Sequence, residues 1–515
     1  MTFNAEFRGN IGQEYSDYLR DESRCIGSAE TISFPASGEE LSSQLKKMRE
    51  MKPSGGRTGA VTIQGARTGI TAGAVPHGGH IINLSRMNKI LGLRHAESGD
   101  EYLLTVQPGV LLSEIREAEK SQTKGKYFFP PDPTEVSASI GGMVACNASG
   151  ARSFFYGPTR KYVERLRVVL ADGTSINLQR GEQKAHGRSF CLETGSGGKI
   201  EGVLPSYKMP RVKNAAGYFT EDNMDLIDLF IGSEGTLGII SEIEIRLIPV
   251  PASVWGVSVF FPSEDPAIKF VIKMRSEPQT LKPVAIEFFD SHALDLLRKQ
   301  KQINPAFEEI PSIPAGWNTA VYLEYHGNDE ETVEKAVMEM SVTMAECGGD
   351  ENATWTASNV RELERLKTFR HAIPEAVNLL IDERKKKEPG ITKLGTDLAV
   401  PDASLMTILS LYHEDLGLAG LEYVIFGHIG DNHLHVNIIP ATIEQYRTGE
   451  KLYLRWARTA AGTGGTVSAE HGIGKLKTRF LKEMYGVEGI RQMRKVKQCF
   501  DPDYMLNSGN MFDIE

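Results

Sequence analysis

Three stretches of small residues in the first half of the chain set the tightest limit on its fold. They are Gly65-Ala66-Arg67-Thr68-Gly69-Ile70-Thr71-Ala72-Gly73-Ala74, Ser139 through Gly150, and Gly232-Ser233-Glu234-Gly235-Thr236-Leu237-Gly238. Each falls at a strand-to-loop or loop-to-helix junction. One such stretch is an ordinary turn, but three within half a chain remove side chains repeatedly where a long ligand can lie. The first follows the strand-like Val61-Thr62-Ile63-Gln64 and permits a tight loop whose amides converge on a pyrophosphate. Neither G-x-G-x-x-G nor G-x-x-x-x-G-K-[ST] occurs, so the dinucleotide fingerprint and the P-loop are both excluded.

Around these stretches, short β-branched or apolar runs predict strands over 60–63, 80–84, 102–106, 166–170 and 238–248. A helical pattern over 113–118 follows a proline-glycine break, so the first half reads as α+β. The pattern changes at Pro249-Val250-Pro251. Beyond it, a strand over 319–325 alternates with long charged helices over 332–345 and 359–370, and a helical, glycine-interrupted stretch begins near Tyr446. The expected division is therefore 1–250, 251–445 and 446–515. At 515 residues the chain exceeds one hydrophobic core, at about 150 residues per domain.

Composition narrows the partners. The 58 Lys and Arg against 67 Asp and Glu leave a net charge of −9, which disfavours nucleic acid and anionic lipid, so an anionic substrate needs local cations. The five cysteines, Cys25, Cys146, Cys191, Cys347 and Cys499, form no C-x-x-C. A disulfide framework, zinc ribbon or iron-sulfur cluster is not expected, and a reducing compartment is. The polar N-terminus has no apolar leader segment, and no run of about 18 apolar residues spans a bilayer. A cytoplasmic location is the expectation.

A second constellation lies near the C-terminus. In Gly427-His428-Ile429-Gly430-Asp431-Asn432-His433-Leu434-His435-Val436-Asn437-Ile438, strict alternation puts His433, His435 and Asn437 on one face of a strand and Leu434, Val436 and Ile438 on the other. The turn chemistry of Gly430-Asp431-Asn432 folds His428 back beside His435. With Glu470, from Ala469-Glu470-His471-Gly472, the set suits zinc or manganese. The alternative is a hydrogen-bonded pair of histidines near a turn.

Pro131-Asp132-Pro133-Thr134, Gly141-Gly142, Asn147-Ala148-Ser149-Gly150 and Tyr156-Gly157, with Lys213-Asn214-Ala215-Ala216-Gly217-Tyr218 and Leu229 through Gly238, resemble the FAD-binding core of the vanillyl-alcohol-oxidase/PCMH flavoprotein superfamily. Within it the chain is most similar to the D-lactate, glycolate and D-2-hydroxyglutarate dehydrogenases, from about residue 30 to 512. The resemblance implies an α+β fold: a two-subdomain FAD-binding PCMH-type domain (1–250), an α/β cap or substrate domain with an antiparallel sheet (251–445), and a helical C-terminal segment packing back on the first (446–515). FAD would contact Gly65, Ala66, Arg67, Thr68 and Gly69, then Pro131, Asp132, Ser139, Gly142, Asn147, Ser149, Gly150 and Gly157, and finally Glu234, Gly235, Gly238, Ile239 and Asn507. No histidine lies between Gln64 and Pro76, so noncovalent FAD is expected.

The resemblance also assigns roles. His428, His435 and Glu470 would hold a divalent metal, zinc or manganese. His471 would be the base, Arg370 the grip on the substrate carboxylate, and Asn437 a further catalytic residue. The reaction implied is oxidation of a small D-2-hydroxycarboxylate, D-lactate first, by metal-assisted proton abstraction and hydride transfer to flavin, with glycolate or D-2-hydroxyglutarate, or an oxygen-using oxidase, as alternatives. The electron acceptor would be an electron-transfer flavoprotein, a quinone or an iron-sulfur partner, and a homodimer stays open. Two features depart from the pattern. Where relatives read Gly-Asp-Gly-Asn, this chain has Gly430-Asp431-Asn432-His433, so His433 either contacts metal or substrate or points to solvent. Lys393 is a weaker candidate cation. The run Asp382 through Glu388 is expected to be a solvated helix end or a docking patch.

Overall fold

Ile239–Pro249, the longest strand of the first half, is buried along most of its length because it lies in the middle of a sheet. This computed structural model describes residues 11–50, 59–97, 99–313 and 315–513. Ile239–Pro249 pairs antiparallel with Tyr102–Val106 on one side and Val163–Val169 on the other, and Ile90–His95 and Ser175–Gln179 complete the order outward. A smaller parallel sheet holds Thr31–Ser33, His80–Asn83 and Val61–Gln64, with His80–Asn83 in the middle. The 60–63, 80–84, 102–106 and 238–248 expectations agree with these strands to within a residue or two, whereas the 166–170 strand begins earlier, at Val163. The helix expected over 113–118 runs Leu112–Gln122.

The second half is built on one antiparallel sheet in the order Thr354–Ala357, Ser253–Phe261, Thr319–Gly327, Ala285–Phe289, Tyr423–Gly427, His433–Ile438 and Leu394–Gly395. Both faces are covered, so every residue of Thr319–Gly327 and of Ala285–Phe289 is buried. Phe289 and Tyr322 face the helices Ser291–Ile303 and Val360–Lys385. Phe288 and Leu323 face Glu264–Ser276 and Glu330–Glu346. Burying such a side chain contributes about 1.5–3 kcal/mol, and the alternation fixes the register, because a one-residue slip would exchange the two faces.

The helix expected over 359–370 runs on to Lys385. Pro374 lies inside this 26-residue helix, Val360–Lys385. Proline there removes one intrahelical hydrogen bond, and the burial of Phe369, Ile373, Ala376 and Val377 on both sides of it keeps the helix continuous. The run Asp382 through Glu388 closes that helix with most of its residues exposed, and Asp382 pairs with Arg24 and Arg384 with Glu422 and the Ile439 carbonyl.

The C-terminal helices are Ile443–Gly462 and Thr478–Phe500, the latter broken at Gly486, where φ is 68°. Phe500 stacks on Phe190 at 5.6 Å, and the Asn507 amide donates to the Val61 carbonyl at 2.8 Å. The buried Lys497 ammonium donates to the carbonyls of Thr236 and Leu506 at 2.7 and 2.8 Å. The chain end is thereby pinned against the third small-residue stretch and the parallel sheet. Among the described residues, no helix is long and apolar enough to cross a membrane.

Candidate active site

All three small-residue stretches line one cavity of about 360 Å³, a volume usual for a ligand site. Gly65, Ala66, Arg67, Thr68, Gly69, Ser139, Gly142, Ser149, Gly150, Glu234, Gly235, Gly238, Ile239 and Asn507 all face it. Arg67, Glu234 and Asn507 hold left-handed φ values of 62°, 52° and 43°, a conformation that side-chain-bearing residues keep only when their surroundings impose it. The Glu234 carboxylate accepts from the amides of Ile473 and Gly474 at 2.6 and 2.8 Å. Asn507 accepts from the Ile63 amide and donates to the Glu234 carbonyl, both at 2.7 Å. The Ser139 hydroxyl accepts from the Ala66 amide at 3.2 Å, tying the loop to the helix Ile140–Cys146. The amides of Thr68, Gly69 and Ile70 reach no acceptor among the described residues, and a Cβ on Gly69 would meet nothing within 4 Å. Free amides beside open space fit a pyrophosphate-bearing cofactor.

Pro131, Asp132, Asn147 and Gly157 do not line the cavity, though Pro133 and Thr134 do. Asp132 accepts from the Arg152 amide at 3.1 Å. Asn147 accepts from the Arg160 amide at 3.0 Å, and Gly157 closes the short helix Ser153–Tyr156.

The same cavity is lined by His428, Glu470 and His471. A turn over Ile429–Asp431, ended by the left-handed Asn432 (φ 51°), reverses the chain between strands Tyr423–Gly427 and His433–Ile438. It brings the rings of His428 and His435 to 5.4 Å, as expected from its turn residues. Each ring has its Nδ1 on an acceptor, Glu287 Oε1 at 2.7 Å for His428 and the Thr396 carbonyl at 3.0 Å for His435. Each Nε2 is left 3.4 Å from Glu470 Oε1. Two donors bound to one ion at about 2.1 Å in a tetrahedral arrangement are separated by about 3.4 Å, and ligating histidines place the other ring nitrogen on an acceptor in this manner. The donor set therefore fits a divalent metal.

Electrostatics agree with the geometry. Against burial, which disfavours its charge, Lys213 and then His428 hold the Glu470 carboxyl well below the usual carboxylate range. Lys213 Nζ lies 2.7 Å from Glu470 Oε2. His428 is carried up to about 9, burial opposing and Glu287 raising. His471 is pushed down to about 4 by burial, so its imidazole is neutral near pH 7. Its Nε2 is 3.5 Å from Glu470 Oε1 and its Nδ1 3.4 Å from Asp397 Oδ2.

Arg370 stands with its guanidinium 4.7 Å from the centre of the Tyr322 ring and 4.0 Å from Glu324. Its buried Nε has no hydrogen-bond partner, and its charge interacts with Glu287, the partner of His428. Asn437 is buried against Gly395 and does not line the cavity, nor does Lys393, whose ammonium burial lowers to about 8. His433 is fully buried rather than solvent-facing. Sequence reasoning missed Glu287, Asp397 and the ion-pairing role of Lys213. Glu287 had a usable signal, a single carboxylate in the otherwise apolar Ala285-Ile286-Glu287-Phe288-Phe289.

Residues 250–511 match the family of FAD linked oxidases, C-terminal domain, and residues 30–179 match the FAD binding domain. A D-lactate dehydrogenase of Anaerostipes hadrus is 30% identical over 97% of this chain and 94% of its own. A D-2-hydroxyglutarate dehydrogenase of Xanthomonas citri pv. viticola is 29% identical over 94% and 89%, and the glycolate oxidase subunit GlcD of Bacillus subtilis is 29% identical over 88% and 83%. Among solved structures, a 4-ethylphenol oxidase from Gulosibacter chungangensis superposes with a TM-score of 0.66 at 17% identity, covering 99% of this chain and 95% of that one. The fold is the two-domain FAD-binding PCMH-type fold that the sequence resembles.

Proposed function

The chain belongs to the family of FAD-linked oxidases, and from that membership we propose that it oxidises a small D-2-hydroxycarboxylate, D-lactate first, to the 2-oxoacid. We read 1–250 as the FAD-binding part, 251–445 as the substrate cap and 446–515 as the segment closing back on the first. One observation carries the reading: His428, Glu470 and His471 line the cavity that the three small-residue stretches also line. FAD, held noncovalently there, would supply the hydride acceptor, and a divalent ion, zinc or manganese, would supply Lewis acidity toward the substrate oxygens.

The protein's own groups do the rest. Arg370, buried and without a bidentate partner, grips the substrate carboxylate, which must be paired once water is excluded. His471, neutral at physiological pH, takes the proton of the 2-hydroxyl. Glu287 and the Thr396 carbonyl fix the rings of His428 and His435, and Lys213 neutralises Glu470 from behind. A substrate with a second carboxylate needs a second free cation; Arg152 is already engaged by Glu324 at 2.7 Å, which favours a short hydroxyacid over D-2-hydroxyglutarate.

Electrons would pass to an electron-transfer flavoprotein, a quinone or an iron-sulfur partner, in a cytoplasmic setting. Anaerobic mixing with a panel of D- and L-2-hydroxyacids, read as loss of flavin absorbance near 450 nm, tests the assignment. Bleaching by D-lactate and related short D-acids supports it, and bleaching by L-isomers alone overturns it. Fast reoxidation of the reduced protein by air would make it an oxidase instead.

A further inference from the structure

The metal reading above leaves one residue unused. His433 begins the strand His433–Ile438, is 0% exposed, and sits 4.4 Å from His435 and 5.3 Å from His428, ring centre to ring centre. One ring nitrogen of His433 falls with those of His428 and His435 and a Glu470 oxygen in a set whose members all lie within 4.8 Å of one another. Its Nε2 lies 3.0 Å from Asp397 Oδ1 without hydrogen-bond alignment, so both ring nitrogens, fully enclosed, lack a hydrogen-bond partner. An enclosed imidazole nitrogen with nothing to bond costs free energy, so it calls for a partner that is a ligand rather than protein.

The three histidines share one design. In each, one ring nitrogen lies within 3.0 Å of an acceptor of the protein: Glu287 for His428, the Thr396 carbonyl for His435 and, as a charge contact, Asp397 for His433. Such an acceptor orients the ring and leaves the other nitrogen's lone pair for an ion. Asp397 is itself anchored, accepting from Ser468 Oγ and Lys477 Nζ at 2.6 Å each and from the His471 amide at 3.1 Å. It is therefore a fixed carboxylate beside the His433 ring.

We propose that His433 is a third imidazole ligand, so that the ion in this chain is held by His428, His433, His435 and Glu470. The proposal rests on the metal reading above. Four protein donors close a tetrahedral zinc site. Room for both the hydroxyl and the carboxylate of a 2-hydroxyacid then requires six coordination, which favours Mn²⁺ over zinc.

Mn²⁺ affinity of the FAD-loaded protein, measured by chelator competition, should fall about 10- to 100-fold or more in His433→Asn relative to wild type, with flavin content and melting temperature of the apo-protein showing that the variant folds. Pulsed EPR of Mn²⁺-loaded wild type labelled with ¹⁵N-histidine gives a second readout that needs no variant, and three coordinated imidazoles are expected. Wild type that binds Mn²⁺ through only two imidazoles, or His433→Asn with affinity within about twofold of wild type, overturns the role of His433 while leaving the metal site standing. Wild type that binds no Mn²⁺ at all removes the metal reading and this inference together.

Discussion

Lys213 and Glu470, 257 positions apart, form a buried ion pair with Nζ 2.7 Å from Oε2. Both side chains are almost enclosed, at 5% and 11% exposed, so neither charge is sustained by water. Removing one partner of such a pair leaves a buried charge uncompensated, at a cost of about 3–5 kcal/mol. Lys213→Met should lose about that much stability in urea unfolding, and added Mn²⁺ should restore more of it than it adds to wild type, because an ion takes over the neutralisation of Glu470. Equal stabilisation of both proteins by Mn²⁺ would separate Lys213 from the metal site.

Arg370 provides a planar fork whose Nε is free. Lysine at this position keeps the charge but loses two-point recognition. Arg370→Lys should weaken the substrate by about 10- to 100-fold, the loss of a charge-assisted hydrogen bond of about 1.5–3 kcal/mol, read as a raised KM in steady-state assays with D-lactate. An unchanged KM would place the carboxylate elsewhere.

His471 is the test of the base. His471→Asn keeps the size and polarity of the side chain but removes the proton acceptor, so flavin reduction in stopped flow should slow about 10²- to 10⁴-fold with flavin and metal content intact. A slowing of less than tenfold would assign the proton to another group.

A pH dependence of stability follows from His80, in the middle strand of the parallel sheet. Thr31 Oγ1 meets its Nδ1 at 2.6 Å and Ser33 Oγ its Nε2 at 2.8 Å, and burial pushes the imidazole down to about 4. An unfolded imidazole titrates near about 6.5. Between those values the unfolded chain holds a proton that the folded one does not, so this stability is present above about 6.5 and is lost as pH falls toward about 4. From pH 7 to pH 5 wild type should lose about 2 kcal/mol more than His80→Gln. Parallel losses would contradict the assignment.

Much of the site was legible in the sequence because its signals are local. The alternation of His433, His435 and Asn437 fixes a strand face, Gly430-Asp431-Asn432 encodes the reversal that returns His428, and the small-residue stretches mark where a backbone must face open space. The supports were not legible, for a physical reason: Glu287, Asp397 and Lys213 reach their partners across 141, 74 and 257 positions, and only the folded sheets bring them together. The helix expected over 359–370 continues to Lys385 through Pro374. The proline's local preference for ending a helix is real, but the buried side chains on both sides of it outweigh that preference.

The most direct measurement is single-turnover flavin reduction by D-lactate in metal-loaded protein and in the same protein stripped by a chelator. Rapid bleaching is expected when loaded, with a loss of at least about 10²-fold when stripped and recovery on adding Mn²⁺, since an ion that polarises the substrate contributes several kcal/mol to the reaction. Bleaching at the same rate with and without metal would contradict the metal reading.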